Sequence, residues 1–91
     1  MVSISRAKPT VFKFYAPQAK RVILAGSFNN WDGSALVAKK DTKGNWAIKI
    51  NLKPGTYEYK FVVDGSWLND PNCTKCVVNS YGSHNCVVMV K

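Results

Sequence analysis

The sequence predicts an all-β protein, a β-sandwich, on three observations. No stretch of about ten residues carries apolar positions at helical spacing. Two segments, residues 46–52 and 57–63, alternate with the two-residue period of a strand. Turn-forming residues recur roughly every 8–12 positions and cut the chain into short pieces.

The elements follow in order. Residues 1–8 mix Ser, Arg and Lys with few apolars and read as a loose arm; residues 9–91 form the folded unit. Residues 10–15 (TVFKFY) are rich in strand formers and stop before Ala16-Pro17. Residues 20–26 (KRVILAG) form a second strand, which runs into a turn around Asn29-Asn30. Residues 36–40 (LVAKK) form one short strand, and Asp41 to Gly44 a turn. In residues 45–52, Trp46, Ile48, Ile50 and Leu52 share one face. Pro54-Gly55 reverses the chain into residues 56–63. There Tyr57, Tyr59, Phe61 and Val63 face one way, and Glu58, Lys60 and Val62 the other. Asp64-Gly65 is a hairpin signal, because both central residues of a type I′ turn need φ > 0. Residues 66–68, 76–79 and 85–90 supply the last strands. No internal repeat is present.

Size and composition set bounds. Ninety-one residues make one domain. A chain this short buries roughly 60–65% of its unfolded surface. Apolar residues make up 46% of it, too many for a disordered chain. No apolar run reaches the roughly 20 residues that span a bilayer. Residues 1–9 lack the apolar stretch of a signal peptide, so a cytoplasmic location is expected, with no membrane partner. The net charge is +8. The basic residues are scattered, which reads first as a solvated surface and only second as a nucleic-acid footprint.

Cys73, Cys76 and Cys86 include one C-x-x-C spacing. They read as ordinary thiols of a reducing compartment. A Cys73–Cys76 or Cys76–Cys86 disulfide comes next. A zinc site comes last, since it wants four ligands and the fourth here could only be His84. No metal and no cofactor are expected.

The three tryptophans separate by phase. Trp46 is in register with an apolar face and belongs to the core. Trp31 and Trp67 each follow a turn, outside any long alternating face, and read as exposed platforms. Lys60 lies on the strand leading to Trp67 and points away from the core, with Glu58 on the same face as a possible ion-pair partner. Flat aromatic platforms with polar donors suit a sugar, whose pyranose ring has an apolar C–H face and a rim of hydroxyls. Covering about 100 Å² of each indole contributes about 2.5 kcal/mol. Association costs on the order of 4–15 kcal/mol, so binding is expected to be weak, roughly micromolar to millimolar.

Three motifs carry a resemblance. They are Gly26-Ser27-Phe28-Asn29-Asn30-Trp31, Gly55-Thr56-Tyr57-Glu58-Tyr59-Lys60-Phe61, and Val63-Asp64-Gly65-Ser66-Trp67 with Asp70-Pro71. Together they resemble the glycogen-binding domain of the AMP-activated protein kinase β subunit. More loosely they are similar to the family 48 carbohydrate-binding modules of branching enzymes, isoamylases and pullulanases. The likeness covers nearly the whole chain, from about Lys8. It implies an early-set immunoglobulin-like sandwich that binds α-glucans such as glycogen, starch, maltooligosaccharides or cyclodextrin. Such a module targets a kinase or glucan-active enzyme to the polymer. It further implies that Trp31 and Trp67 are the platforms and Lys60 the binding lysine. Tyr81 would take the place of a residue that projects through the glucan, Ser83 that of a Thr and Asn85 that of an Asn. Tyr81 stands where the family has an aliphatic residue, which suits stacking more than plugging. The cysteines have no counterpart in the family pattern.

Other readings are a docking domain with an inactive sugar site, or a single-stranded nucleic-acid binder. Catalysis is not expected. The only acids are Asp32, Asp41, Glu58, Asp64 and Asp70, and no motif joins two of them across a cleft as a glycosidase needs. Asp32 and Asp64 are explained by their Asp-Gly turns. His84 and Cys86, two apart on one strand, make no nucleophile pair.

Overall fold

A computed structural model describes residues 7–80 and 82–91; residues 1–6 and Tyr81 lie outside the described residues. The strands are β1 (Lys8–Tyr15), β2 (Val22–Gly26), β3 (Leu36–Val37), β4 (Lys39–Lys40), β5 (Asn45–Leu52), β6 (Gly55–Val63), β7 (Ser66–Leu68), β8 (Cys76–Val78) and β9 (His84–Val90). A short 3-10 helix, Ser27–Asn29, follows β2. The smaller sheet has the order β1-β5-β4. The larger has the order β3-β2-β6-β9-β8, with β7 also on β6. Every pairing among the described residues is antiparallel. The two sheets pack as a β-sandwich, as the alternation and the turn spacing predict, and it is immunoglobulin-like, as the resemblance implies.

The core lies between them. Phe12, Trp46 and Leu52 come from the smaller sheet, and Val22, Leu24, Tyr59, Phe61, Cys86 and Val90 from the larger. Aromatic edges lock the layers. The Phe12 and Tyr59 rings meet edge-on with centroids 4.9 Å apart, and the Phe14 and Phe61 rings are tilted at 5.0 Å. Trp46 is buried as its phase predicts, and its indole N–H donates to the Ala16 carbonyl at 2.8 Å. That bond satisfies a polar group that burial would otherwise penalise.

Residues 36–40 differ from the single strand expected. The chain changes sheet within them: β3 pairs with β2, and β4 pairs with β5. Ala38 is the pivot, buried between the layers, with its N–H donating to the Val22 carbonyl at 2.9 Å. The alternation of five residues cannot reveal a crossing between sheets, because local period says nothing about which partner each half meets. The first strand also starts at Lys8, two residues early, opposite Leu52.

Strand β6 organises the larger sheet. Along one edge, Tyr59 to Val63 pair with β2. The other edge is shared, with β9 on Gly55 to Tyr59 and β7 on Phe61 to Val63. Lys60 sits at the seam where the partner changes. The Asp64-Gly65 turn has φ of 48° and 88°, as a type I′ hairpin requires. The Asp64 carboxylate accepts the N–H groups of Lys20 and Arg21, both at 2.9 Å, tying this turn to the start of β2. No helix among the described residues is long and apolar enough to cross a membrane.

Candidate functional site

The outer face of the larger sheet carries a second, smaller apolar cluster, Ile23, Ala25 and Val62. It exists because β2 is buried on both faces, with Val22 and Leu24 toward the core and Ile23 and Ala25 outward. Trp31 packs against this cluster. Trp67 stands directly opposite Val62 in the β6–β7 ladder, and Lys60 is opposite Ala25 in the β2–β6 ladder. Both tryptophans and the lysine are therefore brought to one face.

The loop that holds Trp31 is built by Asn29. The Asn29 Oδ1 accepts the Gly26 N–H at 3.0 Å, and its Nδ2 donates to the Asp32 carbonyl at 3.3 Å. The Trp31 N–H donates to the Gly26 carbonyl at 2.9 Å. Asn30 and Trp31 take φ of 56° and 59°. Asn visits this left-handed region readily, but a bulky residue held there costs about 1–3 kcal/mol. Asp32 accepts the N–H and hydroxyl of Ser34, and the hydroxyl bond above all holds its carboxyl below the usual range. Gly33 then passes beside Trp67: a Cβ there would lie 3.0 Å from Trp67 Cζ2. The first tryptophan loop thus also borders the second tryptophan.

The far wall is the loop between β8 and β9. Asn79 exchanges backbone bonds with its neighbours, its N–H donating to the Ser83 carbonyl at 2.9 Å. Its Oδ1 accepts the Ser83 N–H at 3.1 Å, and its Nδ2 donates to Asn85 Oδ1 at 3.1 Å. The Asn85 Nδ2 donates to Glu58 Oε1 at 3.0 Å. Lys60 Nζ donates to Ser83 Oγ at 3.2 Å. The ion pair considered between Glu58 and Lys60 gives way to these two bonds. Asn85 and Ser83 each take one of the two side chains as a partner. Asn85 is only 8% exposed. An amide has two donors and two acceptor positions, and among the described residues Asn85 uses one of each. Every buried side-chain nitrogen and oxygen among the described residues has a partner.

These walls enclose a cleft of about 530 Å³. Trp31, Lys60, Trp67, Ser83 and Asn85 all line it. Tyr81, the remaining residue of the expected set, lies outside the described residues. Asn79 and Ser80 line the cleft too and were not foreseen. Their signal was present, an Asn-Ser pair ahead of Gly82, but Asn79 reads as the end of a strand when only the preceding valines are considered. The two platforms also differ from the equal pair expected. Trp67 is 46% exposed, whereas Trp31 is half-buried on the outer apolar cluster. The described lining holds no carboxylate, imidazole or thiol. It offers flat apolar rings, an ammonium, hydroxyls and amides, the groups that stack and hydrogen-bond.

The Cys73, Cys76 and Cys86 sulfurs lie outside this lining. All three cysteines are free thiols.

Residues 8–91 match a family model described as the glycogen recognition site of AMP-activated protein kinase. Among curated proteins, the chain is 37% identical over 87 residues to the pig 5'-AMP-activated protein kinase subunit beta-1, covering 96% of this chain and 67% of that protein. It is 37% identical to the human subunit beta-1 over the same length, but spans only 30% of that protein. Protein FLOURY ENDOSPERM 6, chloroplastic, from rice is 35% identical over 81 residues, which are 89% of this chain and 15% of the rice protein. The matched segment is thus a part of longer relatives. On the family match and these relatives, the chain belongs to the glycogen-recognition family of the AMP-activated protein kinase type.

Proposed function

We propose that this chain binds α-glucans without acting on them, and that the cleft between Trp31, Trp67 and the 79–85 loop is where the glucan sits. The supporting observation is the convergence of two indoles, Lys60, Ser83 and Asn85 on one cleft from four separate parts of the chain. In this reading Trp67 is the open stacking surface. Trp31, braced on Ile23, Ala25 and Val62, is the fixed one. Lys60 and Asn85 supply donors to the hydroxyl rim, pre-oriented by Ser83, Asn79 and Glu58, so little ordering remains when the sugar arrives. The family resemblance would give Tyr81 the role of the residue that meets the glucan. The family and the kinase-subunit relatives extend the reading. The module would bring a kinase or a glucan-active enzyme to a polymer, in the cytoplasm, and weak single contacts would be multiplied along many chain ends.

The test is quenching of tryptophan fluorescence by a maltooligosaccharide series at two salt concentrations. Saturable quenching that tightens with chain length and hardly responds to salt is expected. An affinity that collapses as salt rises would instead indicate phosphate contacts. No response to any glucan would leave a docking domain.

A further inference from the structure

The glucan reading leaves the three cysteines unused, yet the fold gathers them. The β8–β9 ladder sets Cys76 directly opposite Cys86. The Cys73 N–H donates to the Asp70 carbonyl at 3.1 Å, which curls the preceding loop back toward the strand pair. The Cys73 and Cys76 sulfurs are 3.4 Å apart, and all three sulfurs lie within 4.8 Å of one another. Thiolates around one zinc ion, with Zn–S bonds of about 2.3 Å, stand about 3.8 Å apart if tetrahedral and about 4.0 Å if trigonal. The observed spacing brackets both. His84 is not part of this cluster. An oxygen is at hand instead, since Asn69 Oδ1 lies 3.8 Å from Cys86 Sγ.

We propose that Cys73, Cys76 and Cys86 form a three-thiolate site for a thiophilic d10 cation, Zn2+ or Cu+, with an oxygen ligand or no ligand in the fourth position. Soft sulfur donors select these ions over Mg2+ or Ca2+. Each thiol gives its proton to solvent as it binds, so the thiolates take the ion and no electron moves. One side of the site is open, because Cys76 is exposed, while Cys86 is buried in the core. A bound ion would pin the 69–75 loop to β9, whose Asn85 faces the cleft. The inference stands on the sulfur positions alone and does not depend on glucan binding.

The test uses the full chain, reduced, stripped with chelator and then given Zn2+ alone, or Cu+ alone under anaerobic conditions. One metal per chain by native mass spectrometry is expected for one of the two ions, and the preferred ion identifies the resident class. Co2+ in place of zinc should add sulfur-to-cobalt charge-transfer absorption. Cys73→Ser and Cys76→Ser should each weaken binding at least tenfold. Both positions lie outside the fully buried core, and far-ultraviolet dichroism checks that each variant is folded. His84→Ala should change nothing. Reduced chain that retains neither ion overturns the proposal. So does a folded Cys76→Ser variant that binds like the parent, or a metal lost in His84→Ala but kept in Cys73→Ser.

Discussion

Strand β6 has two faces with the same alternation and opposite fates. Tyr57, Tyr59, Phe61 and Val63 point at the smaller sheet, where Phe12 and Phe14 close over them. Glu58, Lys60 and Val62 point away from it. Only Val62 finds apolar cover there, within the cluster on which Trp31 packs. On the first face a second layer buries Tyr59 and Phe61 and partly covers Tyr57 and Val63. On the second face cover stops after one residue and leaves a cleft. The three tryptophans sample this gradient. Trp46 is 7% exposed, Trp31 is half-buried, and Trp67 is 46% exposed. A ring's burial here measures whether its area already stabilises the fold or is still available to a ligand.

That comparison can be broken at each ring. Trp46→Ala should cost about 3–5 kcal/mol of folding stability, as large core truncations do, and leave the Ala16 carbonyl with only its bond from the Ala19 N–H. Urea unfolding measures it; a variant as stable as the parent would show that the core face is not what holds the sandwich. Trp67→Ala should do the reverse. Glucan affinity should fall at least tenfold, since about 2.5 kcal/mol of stacking is removed, while stability moves by less than about 0.5 kcal/mol. Fluorescence or calorimetric titration beside urea unfolding separates the two effects.

Trp31→Ala should do some of both. Its ring covers Ile23, Ala25 and Val62, yet its left-handed backbone is relieved by nothing smaller than glycine. A loss of about 1–2 kcal/mol in stability is expected, with a several-fold loss in affinity. Equal effects from Trp31→Ala and Trp67→Ala would erase the distinction between a braced ring and an open one. The smallest effect is with pH. Asp32 is held below the usual carboxylate range by its bonds to Ser34. A depressed carboxylate stabilises the loop above its unfolded pKa of about 3.9, and that contribution is lost as pH falls through the folded value. Tryptophan fluorescence should therefore be flat from pH 7 to about 5 and change only below about 4, and Asp32→Asn should flatten that change.

Much of this was legible in the chain, for identifiable reasons. Long alternating strands announce their faces, so Trp46 in β5 and the two faces of β6 read correctly from phase. Asp64-Gly65 announces its turn because few residue pairs accept positive φ. The relation of Lys60 to its surroundings was half legible. Alternation turned it outward, but its partner Ser83 is 23 positions away, and sequence neighbours suggested Glu58 instead. Residues 36–40 misled for the same reason, since the crossing at Ala38 depends on partners contributed by β2 and β5. Asn79 and Ser80 stayed hidden because they enter the cleft only when β8 and β9 pair.

The sequence by itself determined that this protein is a β-sandwich with a buried Trp46 and turn-borne Trp31 and Trp67. These follow from period, turn chemistry and volume, which act within a few residues. Only the tertiary structure decided that Trp31 is braced and Trp67 open, that Asn85 is buried in an amide chain to Glu58, and that three cysteines meet. Those outcomes rest on contacts between strands far apart in the chain, whose register sets distances that no local pattern encodes.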